Sequence, residues 1–94
     1  MKILANDGIS QNAIEILTKA GYNVITTKVS QNQLIDFINK EDIKILLVRS
    51  ATQARKDLID TCPSLKLIGR GGVGMDNIDV KYAQEKGIKV INTP

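Results

Sequence analysis

Histidine and tryptophan are absent from this chain, and cysteine occurs once, at Cys62. Without histidine, no Ser-His-Asp or Cys-His nucleophile can be assembled within it, and zinc-finger ligand sets are excluded. A single cysteine forms no intrachain disulfide and suits a reducing compartment. The aromatics are Tyr22, Phe37 and Tyr82 alone, too few for the stacking platforms of single-strand nucleic-acid binders. Long apolar runs are missing as well. The longest aliphatic stretch, Ile45 to Val48, is far short of the ~20 residues that span a bilayer. At the N-terminus, Asn6-Asp7-Gly8 interrupts the chain before any signal-peptide core forms. A cytoplasmic protein with no membrane partner is expected.

What is present is the composition of a folded domain: 94 residues, 43% hydrophobic and 24% charged, with a net charge of +3. A chain of this size holds one core, either as a small domain or as a piece of a larger protein. Ten of the thirteen basic residues are lysines, spread along the chain among the acids. Nucleic-acid surfaces concentrate Lys and Arg on one face, so no nucleic-acid partner is expected.

Short apolar runs begin near Lys2, Tyr22, Ile43, Leu65 and Ile88, about every 21 residues, with helically spaced stretches between them. Ile14, Leu17 and Thr18 share one helical face; Leu34, Phe37 and Ile38 share another. Ser30 to Gln33 reads as a capping box opening the second helix. Ala20-Gly21 and Lys86-Gly87 read as helix C-termini, and Pro63 closes a helix around Leu58-Ile59. Strands alternating with helices predict an α/β fold: a flavodoxin-like three-layer sandwich on a five-stranded parallel sheet of order 2-1-3-4-5. The run 43–48 is almost continuously apolar, the pattern of a strand buried on both faces. The chain stops at Asn92-Thr93-Pro94 after the fifth strand without a closing helix, so truncation at a domain boundary is expected.

In open α/β sheets, ligands bind beyond the carboxyl ends of the strands. Arg49 and Arg70 are two of only three arginines, and they fall after strands three and four. A guanidinium offers planar two-point recognition of carboxylate or phosphate; ion pairing or carbonyl capping is the plainer alternative. Gly69-Arg70-Gly71-Gly72-Val73-Gly74 formally fits the G-x-G-x-x-G dinucleotide fingerprint. Yet it follows the fourth strand rather than the first, and no acidic residue stands about 20 positions on. A backbone nest for an anion and a tight turn both remain. Asp76, Asn77 and Asp79 read as caps of the next helix, Asp7 as a turn residue before Gly8, Asp57 as a first-turn acid and Cys62 as a small hydrophobe at a helix end.

The run Leu65 to Asp79, continuing through Gly87-Ile88-Lys89-Val90-Ile91-Asn92-Thr93-Pro94 with Val48-Arg49-Ser50-Ala51-Thr52 upstream, closely resembles the D-2-hydroxyacid dehydrogenase family over the whole chain. The resemblance implies that residues 1–94 are the N-terminal part of a substrate-binding domain. It also implies that the NAD-binding Rossmann domain lies outside this chain, together with the catalytic histidine and its carboxylate partner. It assigns the glycine loop to the substrate carboxylate, through the amides of Val73 and Gly74, with Val73 bordering the nicotinamide. Arg49 matches a substrate contact, Ser50 stands beside it, and Arg70 matches a second basic residue facing a phosphate. Two arginines suit a phosphorylated 2-hydroxy acid better than lactate or glyoxylate. The parent is expected to be a homo-oligomer and the 94-residue piece a monomer.

Three positions depart from the family pattern. Gly71 and Met75 stand where alanine and valine are common, and Arg55 where a helix-capping threonine is common, so Arg55 is a candidate addition to the anion site. Other classes compete less well. A receiver domain needs an acceptor aspartate after strand three, where this chain has Arg49-Ser50. A flavodoxin needs a hydroxyl-rich loop after strand one and aromatics around the flavin. A free-standing anion-binding module would use the same arginines and glycine loop without hydride chemistry.

Overall fold

The computed structural model describes residues 1–71 and 76–93. In chain order they form β1 (Lys2–Ala5), α1 (Gln11–Lys19), β2 (Asn23–Ile25), a 3₁₀ turn (Gln31–Gln33) running into α2 (Leu34–Glu41), β3 (Ile43–Val48), α3 (Lys56–Thr61), β4 (Leu67–Gly71), α4 (Val80–Glu85) and β5 (Lys89–Thr93). The strands make one sheet of order β2-β1-β3-β4-β5, parallel at every pairing. This is the flavodoxin-like order expected from the spacing of the apolar runs.

Local chemistry sets the element ends. Ser10 opens α1, its Oγ accepting from the Ala13 amide at 3.1 Å, and Gly21 follows the helix at φ 97°, where a side chain would be strained. The capping box at Ser30 does not form. The Gln33 amide goes instead to the Ser30 carbonyl at 3.0 Å, and the Ser30 hydroxyl donates to Asn32 Oδ1 at 2.8 Å. Gln31 adds a long-range tie at this turn. Its side chain makes a two-way bridge to the backbone of Gln53 at 2.9 and 2.8 Å, tying the start of this segment to the loop after β3.

Asp79 stands at the N-cap of α4 but leaves that helix without a side-chain cap. Its Oδ2 accepts from the Lys56 amide of α3 at 3.0 Å, and Oδ1 pairs with Arg55 at 3.2 Å. One carboxylate thus caps a neighbouring helix, which explains how α3 starts at Lys56 behind an arginine with no cap of its own. Asp57 does lie in the first turn of α3. Cys62 closes that helix fully buried, and burial pushes its thiol up to about 11. Such a thiol is inert near neutral pH.

Pleating divides the sheet into two unlike faces. In register across four strands lie Leu4, Leu46, Ile68 and Val90. With Val48 they pack against Leu34 and Ile38 of α2, Leu58 and Ile59 of α3, and Ala83 of α4. Burying each large aliphatic side chain in this layer contributes roughly 1.5–3 kcal/mol. The alternate positions, Ile45 with Leu67 and Leu47 with Gly69 and Ile91, lie on the other face, where Leu47, Gly69 and Ile91 line a groove with Ala13 and Leu17 of α1. Among the described residues α1 is the sole helix on that side. Ile45, Leu47 and Leu67 are therefore half-buried, and Ile91 is 43% exposed. The expectation that β3 is buried on both faces is thus corrected, because three helices cover one face and one helix covers part of the other.

Candidate functional site

A parallel sheet gathers all its carboxyl ends on one edge, and here that edge is held by buried polar side chains. Asn6, Thr52 and Asn77 are 3%, 1% and 5% exposed, and among the described residues no buried side-chain polar atom lacks a partner. Asn6 both donates to the Val29 carbonyl at 3.0 Å and accepts from the Val29 amide at 2.7 Å, closing the segment after β2 onto the sheet. Its amide also donates to Thr52 Oγ1 at 3.0 Å.

Asp7 occupies the centre of this network. Its Oδ2 accepts from the amides of Arg49 at 2.7 Å and Thr52 at 3.1 Å. Its Oδ1 accepts from the Thr52 hydroxyl at 2.7 Å and pairs with Lys28 at 2.6 Å. Burial by itself would raise the carboxyl. The bonds from Lys28, the Thr52 hydroxyl and the two amides outweigh it and bring the pKa down to about 2. Asp7 lies in the turn before Gly8 as its sequence position implies, and its carboxylate also clamps the loop that carries Arg49.

Arg49 leaves β3 directly, as expected, with its side chain exposed. A methyl group placed on Gly71 would lie 3.6 Å from Arg49 Cγ and Nε, so this arginine lies across the end of β4. Arg70 is one place off its expected position: it belongs to β4 itself, opposite Val48, rather than following the strand. Its Nε donates to Asn77 Oδ1 at 2.9 Å and its Nη1 to the Gly71 carbonyl at 3.3 Å. Both arginines line the groove between α1 and the sheet, about 290 Å³ in volume, together with Gly8, Ser10, Gly71 and the apolar Ile9, Leu17, Leu47 and Ile91.

Ser50 does not share that groove. It lines a neighbouring hollow of about 270 Å³ with Gln53, Arg55, Arg70, Asp76 and Asn77, so among the described residues Arg70 alone borders both. Arg55 reaches this hollow already engaged, through Nε to Gln53 at 2.9 Å and Nη1 to Asp79 at 3.2 Å. Val73 and Gly74 lie outside the described residues. Of the fingerprint-like run, Gly69 and Gly71 lie inside β4 rather than in a strand-to-helix turn. Gly69 is small for packing: a methyl group there would stand 2.9 Å from Leu47 Cδ2.

The residues that sequence reasoning missed are Asn6, Thr52 and the bracing roles of Asp7 and Asn77. Their shared signal is position, since each is polar and lies in a segment that follows a strand at the carboxyl edge, Asn6 and Asp7 directly after β1 and Thr52 and Asn77 further along. The arrangement brings two arginines to the carboxyl edge of the sheet, Arg49 beside Gly71 on the groove face and Arg70, in register with Val48, with Nε turned to Asn77. That chemistry suits a small ligand with anionic groups at one side.

Residues 3–94 match the family described as "D-isomer specific 2-hydroxyacid dehydrogenase, catalytic domain". Among similar proteins, the D-3-phosphoglycerate dehydrogenase of Methanocaldococcus jannaschii is 44% identical over 94 residues, covering 100% of this chain and 18% of the relative. The hydroxypyruvate reductase of Thermotoga maritima is 40% identical, covering 99% of this chain and 30% of that protein. Among solved structures, the NAD⁺-bound 3-phosphoglycerate dehydrogenase of Entamoeba histolytica superposes with a TM-score of 0.83 at 32% identity, over 100% of this chain and 33% of that one. The chain thus spans under a third of the curated relatives' length.

Proposed function

The chain belongs to the D-isomer-specific 2-hydroxyacid dehydrogenase family, and from that premise we propose that it is the substrate-binding part of a D-3-phosphoglycerate dehydrogenase. The parent protein would oxidise 3-phosphoglycerate to 3-phosphohydroxypyruvate, the entry to serine biosynthesis. The observation that carries this reading is the pair Arg49 and Arg70 on one groove. A phosphate and a carboxylate on one small molecule call for two cations at a fixed spacing. The 44% identity to a D-3-phosphoglycerate dehydrogenase over the whole chain supports the same choice.

NAD would take the hydride from C2 of the substrate. Gly69 and Gly71 are strand residues and do not form the strand-to-helix turn that a pyrophosphate fingerprint needs. In this reading the binding of NAD falls mainly to the rest of the parent polypeptide, and so does the proton-handling histidine, a residue type this chain does not contain. Within the proposal the amides of Val73 and Gly74 hold the carboxylate, Val73 borders the nicotinamide, and Ser50 supports Arg49. The same reading carries a cytoplasmic parent that assembles as a homo-oligomer, and a monomeric chain 1–94. No helix among the described residues is long and apolar enough to cross a membrane.

A titration of the labelled chain with 3-phosphoglycerate and with D-glycerate, followed by NMR, tests the substrate class. The phosphorylated ligand is expected to bind at least about tenfold tighter, ~1.4 kcal/mol, and to shift the signals of Arg49 and Arg70. Equal affinities would favour the second reading, a hydroxypyruvate reductase, which the 40% identity to such an enzyme recommends. Incubated with 3-phosphoglycerate and NAD, the chain alone is expected to make no NADH. Steady turnover would contradict the placement of the proton-handling groups outside it.

A further inference from the structure

Asn77 is almost wholly buried, and its side-chain amide is engaged on both sides. Its Nδ2 donates to the carbonyls of Arg49 and Thr52, each at 2.6 Å. Its Oδ1 accepts from Arg70 Nε at 2.9 Å. The three bonds run to two different strand ends, and each of those ends carries one arginine of the groove. Its backbone is fixed to the same region, with its carbonyl accepting from the Ala54 amide at 2.9 Å.

The residue type matters here. Two carbonyls demand two donors and a guanidinium demands an acceptor, and a carboxamide supplies two N–H donors and a carbonyl acceptor from one planar group. Aspartate would face two carbonyls without a proton to give, while serine has one hydroxyl for three partners. A bond at Nε also fixes the plane of the Arg70 guanidinium, a constraint that lysine cannot accept. On the other side, the Arg49 amide is held by Asp7 while its carbonyl is held by Asn77. The peptide units flanking Arg49 are therefore pinned from both directions.

We propose that Asn77 is a positioning residue that sets the separation and orientation of Arg49 and Arg70, and so selects a ligand with two anionic groups over a ligand with one. The proposal rests on the reading of the two arginines as the substrate's anion contacts. It replaces the helix-capping role that the sequence implies for this residue, since the N-cap of α4 is Asp79 and the Asn77 side chain is engaged with Arg49, Thr52 and Arg70.

The test is a double-mutant cycle on the chain with 3-phosphoglycerate and D-glycerate as probes. Asn77→Ser is expected to weaken 3-phosphoglycerate about tenfold and D-glycerate less than about threefold, since a charge-assisted two-point contact suffers most from misorientation. In an Arg70→Lys background the same substitution should cost 3-phosphoglycerate clearly less than in the natural chain, because the bond to the guanidinium is already gone and only those to the Arg49 and Thr52 carbonyls are left to lose. Losses equal for both ligands, or equal in both backgrounds, would overturn the proposal and leave Asn77 a structural residue.

A spectroscopic signature on the unsubstituted chain guards against an unfolded variant. The Arg70 Nε–Hε resonance should be resolved and slow to exchange at neutral pH, and a rapidly exchanging signal overturns the proposal without any substitution. If the unsubstituted chain shows no preference for 3-phosphoglycerate, the functional reading fails and the selectivity claim falls with it. A protected Arg70 signal in that case would still show that Asn77 holds the guanidinium, so the two failures are told apart.

Discussion

The two faces of the sheet are built from similar aliphatic residues and yet do different work. Leu46 and Leu47 are consecutive in β3. Leu46 is fully buried beneath the helices α2 to α4, whereas Leu47 is half-buried and lines the groove that leads to the two arginines. The first face holds the fold together, and the second presents a surface. Apolar character alone therefore does not measure what a residue contributes to stability; the layer packed over it does.

The largest expected effect tests this contrast directly. Leu46→Ala should destabilise the chain by about 4 kcal/mol, because it leaves a cavity in a closed layer. Leu47→Ala should lose less than about 1.5 kcal/mol, since its site is open to water. Urea denaturation of both variants gives the comparison, and equal losses would break it. Next in size is the polar clamp at the rim of the closed layer. Asp7→Ala strips partners from two amides and a buried hydroxyl, and about 3 kcal/mol should go with them.

That same carboxylate makes stability depend on acid. Its folded pKa of about 2 lies below the ordinary value of 3.8, so its contribution is fully present above about pH 4. It is lost as the pH falls from there through about 2, amounting to roughly 2 kcal/mol. Denaturation midpoints measured down that range should fall for the natural chain, with this part of the decline missing in Asp7→Asn. Smallest is Gly69→Ala. The added methyl meets the far end of Leu47 at 2.9 Å, a side chain free to swing on the open face. A loss of no more than about 1 kcal/mol is expected. A much larger loss would mean that the groove face is as tightly packed as the other.

Topology was legible because it depends on regular signals: apolar runs separated by helical spacing, with glycine at the helix ends. The coverage of each face was not. The run Ile43 to Val48 reads the same whether one layer or two lie against it. The capping box did not form because the Gln33 amide closes a 3₁₀ turn on the Ser30 carbonyl and the Ser30 hydroxyl turns to Asn32, choices the motif spacing does not distinguish. Arg49 and Arg70 could be found, since arginine is scarce here and both stand at strand ends. The network that holds them could not. Asp7 meets Arg49 and Thr52 across forty residues, and a polar residue in a loop looks like a turn former until its long-range partners are known. Asp79 shows the same blindness, standing where it should cap α4 while its carboxylate serves α3.

The strand order also has a consequence during synthesis. β1 is the second strand of the sheet rather than an edge, and its inner neighbour β3 pairs from Lys2 to Ile43. On a ribosome adding roughly 5–20 residues per second, β1 emerges about 2–8 s ahead of the partner that will bury it. Over that interval the best shelter for Ile3 and Leu4 is β2, a strand of three residues. A translational pause between the codons for β2 and β3 would prolong the exposure of the sheet's unfinished edge. The same pause placed after β5 would leave it untouched.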